Sequence, residues 1–362
     1  MESIYYVLCY ACHRKCVHCY EDKFRPYRRQ ALADVVAMAK RNAPRVIGNL
    51  PETMCYIDRD EPLREGAHEE RIGRIILAGG EVLMDPVREE VLYPAIAALG
   101  AKYGRAGGVK LVVQTTGDLI TQAIIEELLA REVWMISVAG MDDFHVGLEG
   151  ARRKPLIERL TGWFEAAGMS ASGSKTGSGN WQHEDGPVYS FFGATPESWI
   201  GKLWPRGRAW TNSLSKATIE DNFCGRWSGG LNFLNHRFSG SEVAIEPTGD
   251  VYPCCLKTRH PLGNLTEEQL IDIIDSVATH PAFQAINLGR PDRMGVSLGW
   301  SVEHFLARSE AKTPKGNAYR NLCIGCDAFH DEVLGSIIEE LRTARLRQRD
   351  AASDERGLGW AG

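Results

Sequence analysis

Long apolar runs, a signal sequence and a strong charge excess are all absent from this sequence of 362 residues. No run approaches the roughly 20 apolar residues that a membrane-spanning helix needs, so we expect no membrane partner. The start, MESIYYVLCYACHRK, lacks the basic-then-apolar pattern of a secretory signal, which favours a cytoplasmic location. A net charge of −5 argues against nucleic acid as the main partner.

Extremes of composition and internal repeats are also missing. Apolar residues make up 44% and charged residues 25%, which are ordinary values for a globular protein. These values exclude a disordered chain, a collagen and a coiled coil. At roughly 150 residues per domain, the length favours two domains. A chain of this size needs neither a disulfide nor a metal to fold.

Cysteine is the residue type whose placement is informative, because most of the ten cysteines are clustered. They are Cys9, Cys12, Cys16, Cys19, Cys55, Cys224, Cys254, Cys255, Cys323 and Cys326. In an intracellular chain, such clusters indicate metal or catalytic sites rather than disulfides.

The first half of the chain alternates predicted strands with predicted helices. The strands are expected at 4–8, 74–78, 109–114, 133–138 and 188–192, and the helices at 31–41, 87–103, 119–131 and 154–167. This alternation predicts an α/β sheet or barrel of parallel strands. In such folds the chemistry gathers at the carboxyl ends of the strands, where the first cysteine loop also lies.

The pattern becomes irregular after the fourth strand. Residues 170–186 are rich in Ser and Gly and predict a long loop. The long connection at 44–70 is interpreted as an ordinary surface segment rather than a lid. Short strands and turns follow from about residue 200, with a hairpin at Thr248-Gly249-Asp250. A last helix is expected at 333–347. The predicted domains are therefore 1–199 and 200–347, followed by a flexible tail at 348–362.

Cys12-x3-Cys16-x2-Cys19 places three thiolates on one short loop, with Tyr20 directly after it. Three thiolates can hold three corners of a [4Fe–4S] cluster and leave the fourth iron open for another ligand. A structural zinc site is the alternative, with one more ligand from His13, His18 or Cys9.

This loop resembles the signature of the radical SAM superfamily, in which S-adenosylmethionine (SAM) chelates the open iron. Gly79-Gly80-Glu81 matches the Gly-Gly-Glu motif of that family. Thr115-Thr116-Gly117 resembles its Thr-Asn-Gly, and Ser137-Val138-Ala139-Gly140 resembles its Ser-x-Asp-Gly, with Ala139 in place of the aspartate. The resemblance implies SAM contacts from Tyr20, Gly79, Gly80, Glu81, Thr116 and Ser137. It implies a partial (β/α)6 barrel over about 4–195, and it leaves the carboxylate-binding arginine open between Arg152 and Arg153.

The later cysteines resemble a second motif of the same enzymes. Cys224, Gly249-x4-Cys254 and Cys323-x2-Cys326 follow the order of the SPASM or twitch extension, a small α+β domain that binds auxiliary clusters. Since no cysteine follows Cys326, the resemblance implies the twitch version with one auxiliary [4Fe–4S] cluster, although four thiolates also suit a zinc knuckle. Residues 204–209, WPRGRA, resemble a Gly-Arg-Ala segment frequent in SPASM proteins.

The resemblance implies an enzyme that reductively cleaves SAM to a 5′-deoxyadenosyl radical and abstracts hydrogen from an organic substrate. The expected reaction is oxidation or rearrangement of a small molecule, with a flavodoxin or ferredoxin as electron donor. Because the first strand begins near Ile4, no leader-binding domain is expected ahead of it. The alternatives are a maturase that crosslinks or epimerises a ribosomally made peptide and a non-catalytic metal scaffold. Catalytic side chains remain unknown, with weak candidates at His145, His183 and Tyr189, and with Trp181 and Arg208 as further candidate substrate contacts.

Overall fold

The computed structural model describes residues 1–60, 67–104, 107–173, 183–196, 198, 200–226 and 228–358, and the side chains of these residues up to 351. Trp181 lies outside this described part. The strands are β1 (Ser3–Cys9), β2 (Cys55–Asp58), β3 (Glu69–Ile72), β4 (Arg74–Gly79), β5 (Lys110–Thr115), β6 (Val133–Val138), β7 (Ser170–Ala171), β8 (Val188–Phe191), β9 (Glu242–Ile245), β10 (Asp250–Tyr252), β11 (Gly263–Asn264), β12 (Glu310–Lys312) and β13 (Ala318–Arg320).

Helices cover the sheet and build most of the C-terminal part. They are α1 (Gln30–Gly48), α2 (Tyr93–Tyr103), α3 (Gln122–Leu129), α4 (Lys154–Ala166), α5 (Gly207–Thr211), α6 (Leu270–Val277), α7 (Pro281–Asn287), α8 (Val302–Arg308), α9 (Leu322–Phe329) and α10 (Gly335–Leu358). In the described part of the chain, no helix has both the length and the apolar character to cross a membrane.

A mostly parallel sheet organises the fold, with the order β11-β10-β9-β1-β4-β5-β6-β8-β7. Strands β1, β4, β5, β6, β8 and β7 pair in parallel, as a partial barrel requires. Strand β6 is buried at every position, because helices and neighbouring strands cover both faces of a parallel sheet. The predicted α/β class with a partial barrel is confirmed.

The sheet continues into the second half of the chain. Strand β9 pairs in parallel with β1, and the β9–β10 hairpin forms around Gly249 as the sequence predicts. The predicted boundary between residues 199 and 200 stays a prediction, and the sheet itself crosses it.

The predicted C-terminal ends of two helices are wrong. Helix α1 continues through Pro44 to Gly48, because Val46 and Ile47 beyond the proline are buried in the core and outweigh one lost hydrogen bond. The last helix, predicted at 333–347, continues in α10 to Leu358. The predicted flexibility of 348–362 stays a prediction.

The segments expected to lack regular structure contain short strands. Residues 170–171 form the edge strand β7, and the connection at 44–70 contains β2, which pairs with β3 in an antiparallel hairpin. This hairpin lies at the amino ends of the parallel strands, since Gly73 between β3 and β4 donates its amide to Met54. It is therefore remote from the carboxyl ends, where the cysteine loop begins.

Candidate functional site

The carboxyl ends of β1, β4, β5 and β6 surround one cavity of about 880 Å³, a volume that includes its open mouth. Cys9 at the end of β1 is in register with Gly79 at the end of β4, so the cysteine loop begins beside the Gly-Gly motif. Predicted site residues that line the cavity are Cys12, Cys16, Cys19, Tyr20, Gly79, Gly80, Thr116 and His145. The fold thus brings together residues that are up to 133 positions apart in the chain.

The three thiols of the cysteine loop suit a metal cluster. Cys12 and Cys16 are buried and Cys19 is half-buried, and the backbone amide of Arg14 donates to Cys12 Sγ at 3.3 Å. Burial raises the pKa of the Cys12 thiol to about 12 and that of the Cys19 thiol to about 11. A bound metal would offset this cost, because a coordinating thiol is deprotonated.

The candidate fourth ligands of the zinc alternative lie in different places. His13 Nε2 pairs with Asp118 Oδ2 at 2.8 Å, which leaves Nδ1 as its candidate ligand atom. Cys9 is fully buried as the last residue of β1, as expected for a small core residue, and it is not among the described residues that line the cavity. Of the three candidates, His18 lines the cavity.

Close backbone contacts explain the two glycines after β4. A Cβ atom on Gly80 would lie 2.3 Å from the carbonyl oxygen of Ala11, and one on Gly79 would lie 2.6 Å from that of Cys9. Any larger residue would push the cysteine loop away from β4. The Gly-Gly pair therefore has a packing role here as well as a place on the cavity wall.

Glu81 lies behind the cavity wall rather than on it. Its Oε1 accepts from the Thr115 hydroxyl at 2.7 Å, and its Oε2 accepts from the amide and the hydroxyl of Thr116 at 2.8 and 2.7 Å. Ser137 is also set back, with its hydroxyl 3.0 Å from that of Ser190. Among the described residues, neither Glu81 nor Ser137 lines the cavity. Their predicted contacts with SAM are not tested by this geometry and stay predictions.

His145 is buried on the cavity wall and is oriented by Asp142. Its Nδ1 lies 2.8 Å from Asp142 Oδ1, and Asp142 Oδ2 accepts from the amide of Ala194. Burial alone would lower the pKa of His145, but hydrogen bonds with Asp142 and Cys16 raise it to about 9. Burial and the neighbouring His145 lower the pKa of His18 to about 4.

Ligand atoms of His18, Asp142 and His145 lie within 4.8 Å of one another and could also hold a metal ion. However, Asp142 already accepts three hydrogen bonds, from Ala194, His145 and the amide of Phe144. This occupancy favours an orienting role for Asp142. Asp142 was not predicted as a functional residue, because a lone Asp at this spacing gives no signal in the sequence, and His18 was predicted only as a candidate zinc ligand.

The other two candidate catalytic residues lie elsewhere. His183 pairs with Asp58 of the hairpin at the amino ends of the strands, with Nε2 and Oδ2 3.3 Å apart. Tyr189 stacks on Phe164 of α4, with ring centroids 4.9 Å apart. Neither is among the described residues that line the cavity, so the structure gives no support to a catalytic role for them.

The candidate carboxylate-binding arginines are also displaced from the site. Arg152 and Arg153 pair with Glu149 and Asp143 on the surface. The described arginines that line the cavity are instead Arg14 and Arg208. Arg14 Nη2 lies 2.7 Å from Asp118 Oδ2.

The second group of cysteines converges on a cavity of about 490 Å³. Cys224, Cys254, Cys323 and Cys326 all line it, whereas Cys255 packs in an apolar cluster with Phe223. Burial raises the pKa of Cys254 to about 12 and that of Cys323 to about 11. Four half-buried thiols around one space fit a metal cluster, and their individual roles as ligands stay predictions.

Residues 238–295 match the SPASM family, which is described as an iron–sulfur cluster-binding domain. The chain carries a SPASM domain. The predicted SPASM/twitch-type extension is thereby confirmed, and an iron–sulfur cluster is favoured over a zinc knuckle for the second cavity. The parallel sheet ahead of the SPASM domain agrees with the predicted radical SAM core. The matched segment contains Cys254 but not the other three cysteines of that cavity.

Solved structures that match this chain share little sequence with it. BtrN in complex with AdoMet and 2-DOIA is 13% identical, with a TM-score of 0.41, over 80% of this chain and 88% of BtrN. Histidine-tagged anSMEcpe with bound AdoMet is 13% identical, with a TM-score of 0.42, over 96% and 98%. Streptococcus suis SuiB bound to the precursor peptide SuiA is 13% identical, with a TM-score of 0.26, over 79% and 66%. No curated protein matches the chain.

Proposed function

We propose that this SPASM protein is a radical SAM enzyme that reductively cleaves SAM and abstracts hydrogen from an organic substrate. One observation carries the proposal. The three thiols of the C-x3-C-x2-C loop line the same cavity as Gly79, Gly80 and Thr116, at the carboxyl ends of a parallel sheet. This is where α/β folds bind their ligands.

The residues that line the cavity have different roles in this proposal. Cys12, Cys16 and Cys19 hold three irons of a [4Fe–4S] cluster and leave one iron for SAM. Such a cluster, when bound, supplies the single electron that breaks the carbon–sulfur bond of SAM. Gly80 lets the backbone approach closely, and Tyr20 contributes an apolar wall that excludes water.

The substrate we propose is a small molecule that is oxidised or rearranged. Aromatic side chains, including Tyr20, Phe24 and Trp204, line the cavity beside a few polar groups, as in sites that enclose small molecules. Cys224, Cys254, Cys323 and Cys326 would hold a cluster in the second cavity, which would supply a one-electron acceptor in addition to the hydrogen abstraction and so suit a net two-electron oxidation. A gene for a short precursor peptide beside this one would instead favour peptide maturation.

Anaerobic reconstitution with iron and sulfide tests the proposal. We expect about 8 iron atoms per chain, and about half of that in the Cys12→Ala/Cys16→Ala/Cys19→Ala variant. Dithionite and SAM should yield 5′-deoxyadenosine with the native chain and none with this variant. Cys55→Ala is the matched control, because Cys55 lies on the remote hairpin and should affect neither readout.

Two results would overturn the proposal. Stoichiometric zinc in anaerobically purified protein would show that the cysteine loop holds a structural zinc site and not the first cluster. A fully iron-loaded chain that forms no 5′-deoxyadenosine would be a metal-binding scaffold instead of an enzyme.

A further inference from the structure

Arg208, from the C-terminal half of the chain, is bound to the cysteine loop. Its guanidinium donates to the carbonyl oxygens of Cys16 at 2.8 Å, Phe24 at 2.6 Å and Asp22 at 3.1 Å. The Arg208 side chain is 8% exposed, although it was a candidate for substrate contact. Because its donors are bound to backbone carbonyls, the geometry makes Arg208 a positioning residue for the loop.

The backbone around Arg208 is attached to the same loop. The amide of Arg208 donates to the carbonyl of Cys19 at 2.8 Å, and Asn212 Nδ2 donates to that of Val17 at 2.9 Å. Gly207 has a φ of +50°, and a Cβ there would lie 2.4 Å from the carbonyl carbon of Tyr20. A side chain at this position would force the segment and the loop apart.

Arg206, two residues earlier, reaches the other cysteine site. It lines the second cavity, and its guanidinium forms a two-pronged ion pair with Asp327, with Nη1–Oδ2 and Nη2–Oδ1 distances of 2.8 Å. Asp327 directly follows Cys326 on α9. Arg206 Nη2 also donates to the carbonyl of Cys323 at 3.4 Å. The arginine is thus fixed to the helix that carries two predicted cluster ligands.

We infer that the Arg206-Gly207-Arg208 segment couples the two cysteine sites, so that loading the auxiliary cluster orders the loop that holds the first cluster. The inference rests on the proposed function. A cluster at Cys224, Cys254, Cys323 and Cys326 would hold α9 in place and with it Arg206, since metal binding is coupled to folding of the segments that supply the ligands. Gly207 is the single residue between the two arginines. A fixed position of Arg206 therefore restrains Arg208 and the carbonyls that Arg208 binds.

Hydrogen–deuterium exchange on the full chain tests this coupling. The background is the Cys12→Ala/Cys16→Ala/Cys19→Ala variant, in which only the auxiliary site can load iron. These substitutions leave the carbonyl acceptors of Arg208 intact. On reconstitution we expect amide exchange over residues 16–24 to slow by about tenfold, because that loop opens less often.

Two further substitutions in this background test whether Arg208 and Arg206 couple the two cysteine sites. Arg208→Lys should still load about 4 iron atoms and protect residues near Arg206, but it should lose the protection of residues 16–24. Arg206→Gln should lose that protection as well, because it cannot form the ion pair with Asp327. Arg259→Gln is the matched control, since Arg259 is an exposed neighbour paired with Asp331, and it should retain the full effect.

The outcomes separate the coupling from the proposed function. Iron loading without any slowing over residues 16–24 would overturn the coupling and leave the auxiliary cluster standing. Full protection in Arg208→Lys would overturn it as well. Failure of the background variant to load any iron would instead contradict the auxiliary cluster of the proposed function.

Discussion

Glu81 has both carboxylate oxygens engaged by the end of the neighbouring strand, through the hydroxyls of Thr115 and Thr116 and the amide of Thr116. Its Oε1 also accepts from the amide of Leu83 at 3.0 Å. The side chain is 2% exposed, so water cannot replace these partners. An effect of Glu81 on a ligand in the cavity would therefore be transmitted through Thr115 and Thr116, which line the cavity wall.

Glu81→Ala should weaken SAM binding while the absorption of the first cluster is retained, because the amide of Thr116 loses its acceptor and the cysteine thiols are untouched. The buried donors left without a partner should lower the free energy of unfolding of the apo chain by about 1–3 kcal/mol. Equilibrium dialysis with SAM and chemical denaturation measure the two effects. Glu89→Ala, on the surface, is the control. Unchanged SAM affinity in Glu81→Ala would contradict this role.

At the scale of one element, Asn321 caps the first turn of helix α9 and also attaches this helix to a neighbouring segment of the chain. The Asn321 Oδ1 accepts from the amide of Cys323 at 3.0 Å, and its Nδ2 donates to the carbonyl of Thr218 at 2.7 Å. Asn321 is fully buried. One side chain thus caps the helix that carries Cys323 and Cys326 and binds it to the segment that precedes Cys224.

Asn321→Ala should lower the free energy of unfolding by about 0.5–2 kcal/mol for the lost cap and should reduce the iron content of the auxiliary site. Ser301→Ala is the matched control, since Ser301 caps α8 by accepting from the amide of His304 at 3.1 Å and is exposed. It should lose the stability of a helix cap alone, without losing iron. Equal iron loss in both variants would mean that general instability, rather than the position of α9, limits cluster binding. Iron analysis and denaturation curves provide the two measurements.

The whole molecule is held together through the sheet and through the cysteine loop. Strand β1 pairs with β4 on one side and with β9 on the other, so residues from both predicted domains lie in one sheet. Arg208 adds a second connection by binding the cysteine loop. The parts before and after residue 199 therefore share backbone hydrogen bonds as well as side-chain contacts.

A fragment of residues 1–199 should fail to unfold cooperatively, whereas the full chain should unfold in one transition. The fragment would expose the edge of β1, including the fully buried Ile4, and would leave the cysteine loop without Arg208. Thermal denaturation followed by circular dichroism compares the two chains. A sharp transition in the fragment would support the predicted independent domains and contradict this expectation.

The sequence alone determined the local elements and the chemical character of the chain. The strand at 133–138 was predicted with its observed bounds, because a buried parallel strand is an uninterrupted apolar run. The spacing of Cys12, Cys16 and Cys19 predicted a metal site on one loop, since ligand spacing within a loop is a local property. The SPASM extension was predicted from the resemblance of the later cysteines to the order in that family.

Only the tertiary structure decided which distant residues meet. It placed His145 on the cavity wall and His183 and Tyr189 elsewhere, a distinction that depends on which strand ends are neighbours. It extended α1 beyond Pro44, because burial in the core outweighs a local preference. It also gave Arg208 a role on the cysteine loop. Partners 184 to 192 residues away cannot be found from spacing, because chain folding alone brings a guanidinium to those carbonyls.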